Sequence, residues 1–221
     1  MDGFGPVWPA ARTKLDGVSL GDAWVCEALG KSRGEDKTEE NSIVPFHKLS
    51  QWLTYSLLEP IEKILGWKIE GRDDQTGQFP RPGQCWSLEL PQGRLTFPLS
   101  CSTQYTGLPE YRNGGLLVDL GFLTLKSSAF TPADYATSSS PSTIPRLEVS
   151  HGAVIEWRAI TVIALDKIAA ALRVHLNAPD LTTAQVLESA TWKGGREIAK
   201  QLRGDKGGGP PIEIVSDGTV F

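Results

Sequence analysis

Three residues towards the C-terminal end of the chain combine side chains that could do acid–base chemistry. Glu188, Trp192 and Arg196 follow one another at four-residue steps, so in a helix they would share one face. A carboxylate next to an indole can serve as a general acid or base. The simpler interpretation is a surface ion pair beside a packed tryptophan, and the sequence by itself favours it.

A second stripe consists of polar side chains that are usually uncharged. His47, Gln51 and Tyr55 have the same four-residue spacing. A helix face in contact with water normally carries Lys and Glu, so this stripe could instead line a ligand pocket. A helix face packed against a polar neighbour explains the three residues equally well.

A polar turn with two glycines lies in the middle of the chain. Glu110 and Arg112 precede Gly114 and Gly115, and Asp119 follows them. The planar guanidinium could bind a phosphate or a carboxylate, and the glycines would let the backbone approach a ligand. The segment is neither a Walker loop nor a GxGxxG motif, so it does not indicate a nucleotide-binding fold. An ordinary turn is the alternative interpretation.

Three further charged residues could serve either a site or only the fold. Glu156 and Arg158 begin a strongly apolar helical segment, where they lie either at its rim or in a buried pair. Asp217 stands beside Gly218, a pairing typical of a turn. We expect the apolar C-terminal tail to pack on the core, which would hold Asp217 in a fixed place.

The hydrophobic spacing predicts three long helices that would position these residues. They cover 45–65, 153–176 and 182–203. The middle helix is apolar nearly all round, which is typical of a core element. Thr182 and Gln185 fit a capping box at the start of the third helix. The apolar stripe of the first helix contains Phe46, Leu49, Leu53, Leu57, Ile61 and Ile64.

Shorter elements complete a mainly α fold with one small β-hairpin. The hairpin is predicted within 86–97. The leucines of 116–123 fit a helix at least as well as a strand, and we favour a short helix there. Charged residues at 31–42 and a Ser/Thr/Pro-rich stretch at 126–150 indicate exposed loops. The length fits a single domain over 1–221.

The composition excludes several classes of protein. Of the 221 residues, 40% are hydrophobic and the net charge is −4, with acidic and basic residues interspersed. A nucleic-acid-binding face would need clustered basic residues, and a membrane span would need about eighteen consecutive apolar ones. The three cysteines and three histidines have no metal-binding spacing, so no metal site is predicted. With no signal peptide at the N-terminus, we expect a cytoplasmic protein.

Five separated blocks of the chain resemble the uracil-catabolism protein family of fungi and bacteria. In order, they are PFHKLSQWLTYSLLEPIE, TGLPEYRNGGLLVDLGFL, IEWRAITV, TWKGGREIA and PPIEIVSDGTVF. The resemblance runs from about Phe4 to Phe221. Members of that family are longer, so the resemblance implies that this chain corresponds to their C-terminal half. It also implies a pathway that opens the ring of a uridine nucleotide and later releases urea. A ribosylurea, or its phosphate, is the intermediate whose N-glycosidic bond must then be broken.

The same blocks are more distantly similar to queuosine-salvage N-glycosidases. Those enzymes carry Asp-Tyr-Arg before an apolar element, Glu-Ile-Arg-Ala at a helix start, and Leu-Asp followed by Trp and Arg. The matching segments of this chain are 110–112, 156–159 and 187–196, with Glu in place of Asp at two positions. This similarity implies a helical fold akin to that of helix-hairpin-helix DNA glycosylases.

Together the two resemblances predict an N-glycosidase that acts on a nucleoside- or nucleotide-derived substrate without a metal or an organic cofactor. An oxocarbenium-like transition state requires a carboxylate near C1′, for which Glu188 is the candidate. Glu110 or Asp119 would hold the ribose hydroxyls, and Arg112 and Arg158 a 5′-phosphate. The other predicted substrate-binding residues are His47, Gln51, Tyr55, Glu156, Trp192, Arg196 and Asp217. The alternative is a non-catalytic binding or scaffold subunit, or an inactive remnant, of the same pathway.

Overall fold

The fold is mainly helical, as the sequence predicts. The computed structural model describes residues 8–34, 40–46, 48–69, 86–90, 93–97, 111–135, 143–216, 218 and 220. Its helices are α1 (Glu27–Arg33), α2 (Lys48–Leu65), α3 (Tyr111–Asp119), α4 (Gly152–His175), α5 (Thr183–Gln185) and α6 (Lys193–Arg203). None of these helices has the length and apolar character that crossing a lipid bilayer requires.

Short strands pair into small sheets. Strands β1 (Lys14–Leu15) and β2 (Val18–Ser19) pair with each other, as do β3 (Ala23–Val25) and β4 (Ile43–Pro45). Strand β5 (Lys68–Ile69) pairs with β6 (Trp86–Leu90), which pairs in turn with β7 (Gly93–Phe97). The β6–β7 pairing is antiparallel, so the predicted hairpin is confirmed. Strands β8 (Arg146–Glu148) and β9 (Glu213–Val215) are parallel neighbours.

Helix α4 is the centre of the core. Its inner face contributes Ile155 and Val162 to a cluster that also holds Trp24 and Phe46. Val220 belongs to this cluster and is fully buried, so the expected docking of the C-terminal tail is confirmed at that residue. Along the same helix, a second cluster joins Val154, Trp157, Leu147 and Ile212. The predicted core helix therefore packs against residues from both the N-terminal and the C-terminal parts of the described chain.

The apolar stripe predicted for the first helix is only partly buried. The helix begins at Lys48 rather than at residue 45, because residues 43–45 pair with β3 instead. Among the stripe residues whose side chains are described, Phe46 is buried and Ile61 is half-buried. Three stripe residues are exposed to solvent, namely Leu53, Leu57 and Ile64.

The short central helix begins earlier than the sequence predicts. It covers Tyr111–Asp119, so the expected glycine turn is helical. Glycine normally disfavours a helix interior, but in α3 it allows close packing. A Cβ at Gly114 would lie 2.6 Å from Oγ1 of Thr161 on α4, and one at Gly115 would lie 3.0 Å from Pro211. The two glycines therefore allow close contact with other residues of the protein rather than with a ligand.

The prediction of an exposed loop over 126–150 is wrong at its C-terminal end. Strand β8 lies there, and Leu147 is only 1% exposed. A strand of three residues leaves almost no periodic signal, and its partner β9 is far away in sequence.

The predicted loop at 31–42 has regular secondary structure at both of its ends. Residues up to Arg33 belong to α1, and the 3-10 turn Glu40–Ser42 ends on a buried serine.

Candidate active site

Glu188 lies in a π-helical segment between two α-helical pieces. The segment covers Val186–Trp192 and continues directly from α5 into α6. The predicted capping box begins this run, since the Thr182 hydroxyl accepts a hydrogen bond from the Gln185 amide at 3.2 Å. Inside a long helix, π-helical turns occur frequently at functional sites. This segment is therefore the starting point for locating an active site.

The π-helical segment presents Glu188 to solvent. Its buried residues are Val186, Leu187 and Thr191, whereas Glu188 is exposed. Within the part of the chain that the structure describes, the Glu188 carboxylate makes no hydrogen bond or ion pair. Its oxygens are available to accept hydrogen bonds from a ligand or a water molecule.

Trp192 and Arg196 lie together as the four-residue spacing predicts. The Arg196 guanidinium carbon is 5.2 Å from the centroid of the Trp192 ring, a cation–π contact. Trp192 is half-buried and Arg196 is exposed. The surface ion pair that the sequence favoured is absent between the described side chains of Glu188 and Arg196. The carboxylate and the stacked guanidinium are therefore both available at the surface.

Helix α3 packs against α6 beside this segment. A Cβ at Gly195 would overlap the carbonyl oxygen of Arg112, so the two backbones touch at that point. Two turns further along, Asp119 on α3 meets Arg203 on α6. The helices therefore run side by side in the same direction, and α3 fixes the position of the chain that carries Trp192 and Arg196.

Asp119 is engaged in an ion pair within the fold. Its oxygens accept hydrogen bonds from the two terminal nitrogens of Arg203, at 2.8 and 2.5 Å. The Asp119 side chain is only 4% exposed. Bidentate pairs of this kind are among the stronger charge-assisted contacts. This geometry does not support the predicted role of Asp119 in holding ribose hydroxyls.

Arg112 holds a loop of the protein. One of its terminal nitrogens donates to the Gly208 carbonyl at 2.8 Å, and Arg203 Nε donates to the Gly209 carbonyl at the same distance. Gly208 has a φ of +66°, which favours glycine, and a Cβ there would lie 3.1 Å from the Lys200 backbone. The two arginines thereby fix the loop that follows α6.

Arg158 is part of a buried ion pair on another side of the core. Its terminal nitrogens donate to the two oxygens of Asp22 at 2.8 and 2.7 Å. The side chains of Arg158 and Asp22 are 1% and 0% exposed. Glu156, two residues earlier on α4, points to the opposite, exposed face, because residues two apart on a helix do not face each other. The sequence left open whether these charges lie at the rim of the helix or in a buried pair. Arg158 lies in a buried pair, and its partner is Asp22 rather than Glu156.

Asp22 gathers several donors around one buried carboxylate. Besides Arg158, the Trp24 indole donates at 2.7 Å and the Lys48 amide, at the start of α2, donates at 3.3 Å. Burial alone would raise the pKa of Asp22. The hydrogen bonds and charge of Arg158, with the hydrogen bonds from Trp24 and Lys48, outweigh burial and hold this pKa below its ordinary value. The carboxylate is therefore a structural anion that ties α4 to β3 and α2.

Each of these two ion pairs contains one residue that the sequence does not predict as important. These residues are Asp22, the partner of Arg158, and Arg203, the partner of Asp119. Asp22 gives no signal, since a single aspartate before a short strand resembles any turn residue. Arg203 resembles any basic residue in the last turn of a helix, where lysine and arginine are common.

Some predicted site residues lie outside the described part of the chain. These are His47, Glu110 and Asp217, and the side chains of Gln51 and Tyr55. Among the side chains that are described, no three of His, Cys, Asp or Glu cluster as metal ligands would.

Comparison with known proteins gives a consistent set of relatives. Residues 1–80 and 84–221 match the profile of a family described as a protein of unknown function, DUF1688. The chain is 42% identical, over 224 residues, to the Lachancea kluyveri protein named uracil catabolism protein 4, a match that covers 100% of this chain and 44% of that protein. Protein urg3 of Schizosaccharomyces pombe is 40% identical over 220 residues, which are 98% of this chain and 41% of that protein. The chain therefore spans less than half the length of either relative. No solved structure matches it.

Proposed function

The chain belongs to the DUF1688 family, and on that premise we propose that it takes part in uracil catabolism as a hydrolase of an N-ribosyl bond. The proposed substrate is a ribosylurea-type intermediate, with or without a 5′-phosphate, and the proposed product is urea. The relationship to a protein named for uracil catabolism supports the pathway. The exposed carboxylate on the π-helical segment supports the chemistry.

The proposed reaction needs a carboxylate and a water molecule at the anomeric carbon. The bond between C1′ and the urea nitrogen breaks, water supplies the hydroxyl at C1′, and a proton passes to the departing nitrogen. The transition state has oxocarbenium character, so a nearby anion stabilises it. No metal ion or organic cofactor is part of this mechanism.

Glu188 is the residue that carries the proposal. Its exposed carboxylate has no partner among the described side chains, in contrast to Asp119. In the proposed role it activates the water that attacks C1′ and stabilises the developing positive charge. Its place on a π-helical turn agrees with this role, since such turns are frequent at functional sites.

The neighbouring residues supply groups suited to the rest of the substrate. Trp192 offers a flat apolar surface to the urea or sugar, and the Arg196 guanidinium is exposed and suited to a 5′-phosphate. Because Arg112 and Arg158 are engaged within the fold, the proposal moves the phosphate contact to Arg196. We also propose that the substrate contacts the remaining predicted residues, namely His47, Gln51, Tyr55, Glu110, Glu156 and Asp217.

The test is product formation by the purified chain. Ribosylurea and its 5′-phosphate are incubated with the wild-type chain, with Glu188→Gln and with the control Glu197→Gln, an exposed glutamate of α6. We expect urea from the wild type and from the control. We expect Glu188→Gln to be slower by roughly 10²–10⁴-fold, as for other general acid–base groups. Full activity of Glu188→Gln would overturn the assignment.

A non-catalytic binding or scaffold subunit is the second candidate function. The observation in its favour is that Asp119, Arg112 and Arg158 all hold the fold. Calorimetric titration with ribosylurea 5′-phosphate distinguishes the two candidates. Binding without urea release would favour the subunit, whereas urea release by the wild-type chain would exclude it.

A further inference from the structure

On the side of α4 that faces away from the core, three exposed apolar residues share the surface with the exposed Glu156 and Lys167. Val154, Leu165 and Ala169 form its buried side. On the opposite side, the exposed fractions of Ile160, Ile163 and Val174 are 43%, 57% and 83%. We call these three residues the α4 outer stripe.

The members of the α4 outer stripe lie on one line along the helix. Ile160 and Ile163 are three residues apart and so lie on the same face, and the step of eleven residues from Ile163 to Val174 is close to three whole turns. The exposed Lys167 lies midway along this line. Exposed apolar residues that share one side of a helix can mark an interaction surface.

A second helix leaves apolar residues uncovered in the same way. Leu53, Leu57 and Ile64 on α2 are 59%, 49% and 78% exposed, and their spacing also places them on one line. Among the described residues, α2 and α4 thus both carry apolar side chains that are exposed to solvent.

The relatives contain polypeptide that could supply this cover. The present chain aligns with only 44% of one and 41% of the other, so each has more polypeptide outside the matched region than within it. We propose that the α4 outer stripe is the docking surface for that polypeptide. The occupant presents an apolar surface with an acidic group opposite Lys167. This inference does not depend on the proposed hydrolysis.

A second copy of this chain fits the stripe less well. In a two-fold symmetric dimer the same patch meets itself. Because Lys167 lies midway between Ile160 and Val174, a symmetric antiparallel contact would bring the two Lys167 ammonium groups together. Like charges at such a position are destabilising.

Co-expression tests the proposal. The chain is tagged and expressed together with the segment of the Lachancea kluyveri relative that lies outside the matched region, and the recovered complex is measured. We expect Ile163→Asp to reduce the amount of complex at least about tenfold, because the interface would then bury an unpaired charge. The matched control is Leu202→Asp on α6, since Leu202 is also 57% exposed but lies outside the stripe. It should leave the amount of complex unchanged.

Circular dichroism of both variants establishes that they remain folded. Three results would overturn the proposal. They are absence of a complex with the wild-type chain, a complex that Ile163→Asp leaves intact, and self-association of the wild-type chain that Ile163→Asp abolishes. Whether the chain releases urea has no bearing on any of these results.

Discussion

The carboxylate of Asp22 and the guanidinium of Arg158 form a bidentate ion pair in the core, although they are 136 residues apart in sequence. The centroid of the Phe46 ring lies 4.0 Å from the guanidinium carbon, which adds a cation–π contact. This pair joins the N-terminal strands to the central helix α4. It accounts for the presence of an arginine on the buried side of α4.

Removing one member of this pair should destabilise the protein strongly. In Asp22→Asn, Arg158 would remain buried without its counter-charge, and breaking such pairs typically costs about 3–5 kcal/mol. Urea denaturation of wild type, Asp22→Asn, Arg158→Met and the double variant measures the loss and the coupling between the two sites. If the single variants lost less than about 1 kcal/mol, the pair would not be what ties α4 to the N-terminal strands.

The stability supplied by Asp22 should depend on pH in the acid range. Because the pKa of Asp22 is lower in the folded state than its ordinary value of 3.8, its contribution is fully present above that value. The contribution is lost as the pH falls from there through the folded pKa. The difference in unfolding free energy between wild type and Asp22→Asn should therefore be constant near pH 7 and shrink below about pH 4. A difference that did not change with acidification would contradict the lowered pKa.

The contact between α3 and α6 predicts opposite effects for two adjacent glycines. Gly195→Ala should destabilise the protein by about 1–3 kcal/mol, because the new methyl group overlaps the Arg112 carbonyl. In Gly194→Ala the methyl group would lie 3.9 Å from Leu116, so the gain in helix propensity, up to about 1 kcal/mol, should dominate. Thermal unfolding of the two variants provides the comparison. Equal effects would contradict the close approach of the helices.

Asp119 should affect stability rather than turnover. Asp119→Asn leaves Arg203 partly buried without its counter-charge, which should cost about 1–3 kcal/mol. Below the unfolding temperature the folded variant should release urea at the wild-type kcat. A lowered kcat with an unchanged Tm would instead restore Asp119 to the active site.

The parts of the fold that the sequence predicts are those determined locally. The core helix α4 and the hairpin β6–β7 arise from hydrophobic periodicity and a short turn, both readable within a few residues. The pair between Asp22 and Arg158 is not predicted, because nothing near either residue indicates the other. The strand β8 escapes prediction for the same reason, since its partner β9 follows the helices that lie between them.

In the candidate site, too, the sequence predicts the local contact but not the long-range ones. Four-residue spacing brings Trp192 and Arg196 together correctly. The sequence does not show that Arg112 hydrogen-bonds to the Gly208 carbonyl or that Asp119 pairs with Arg203. Both contacts depend on how α3 packs beside α6.

The rate of urea release from ribosylurea 5′-phosphate by Glu188→Gln, relative to wild type, is the decisive quantity for the proposed hydrolase. The substitution keeps the size of an exposed side chain and removes only its negative charge. We expect urea release by the wild type and a rate below about one hundredth of it for the variant, with the same Tm. Equal rates, or no urea from either protein, would contradict the assignment of Glu188 as the catalytic carboxylate of an N-ribosyl hydrolase.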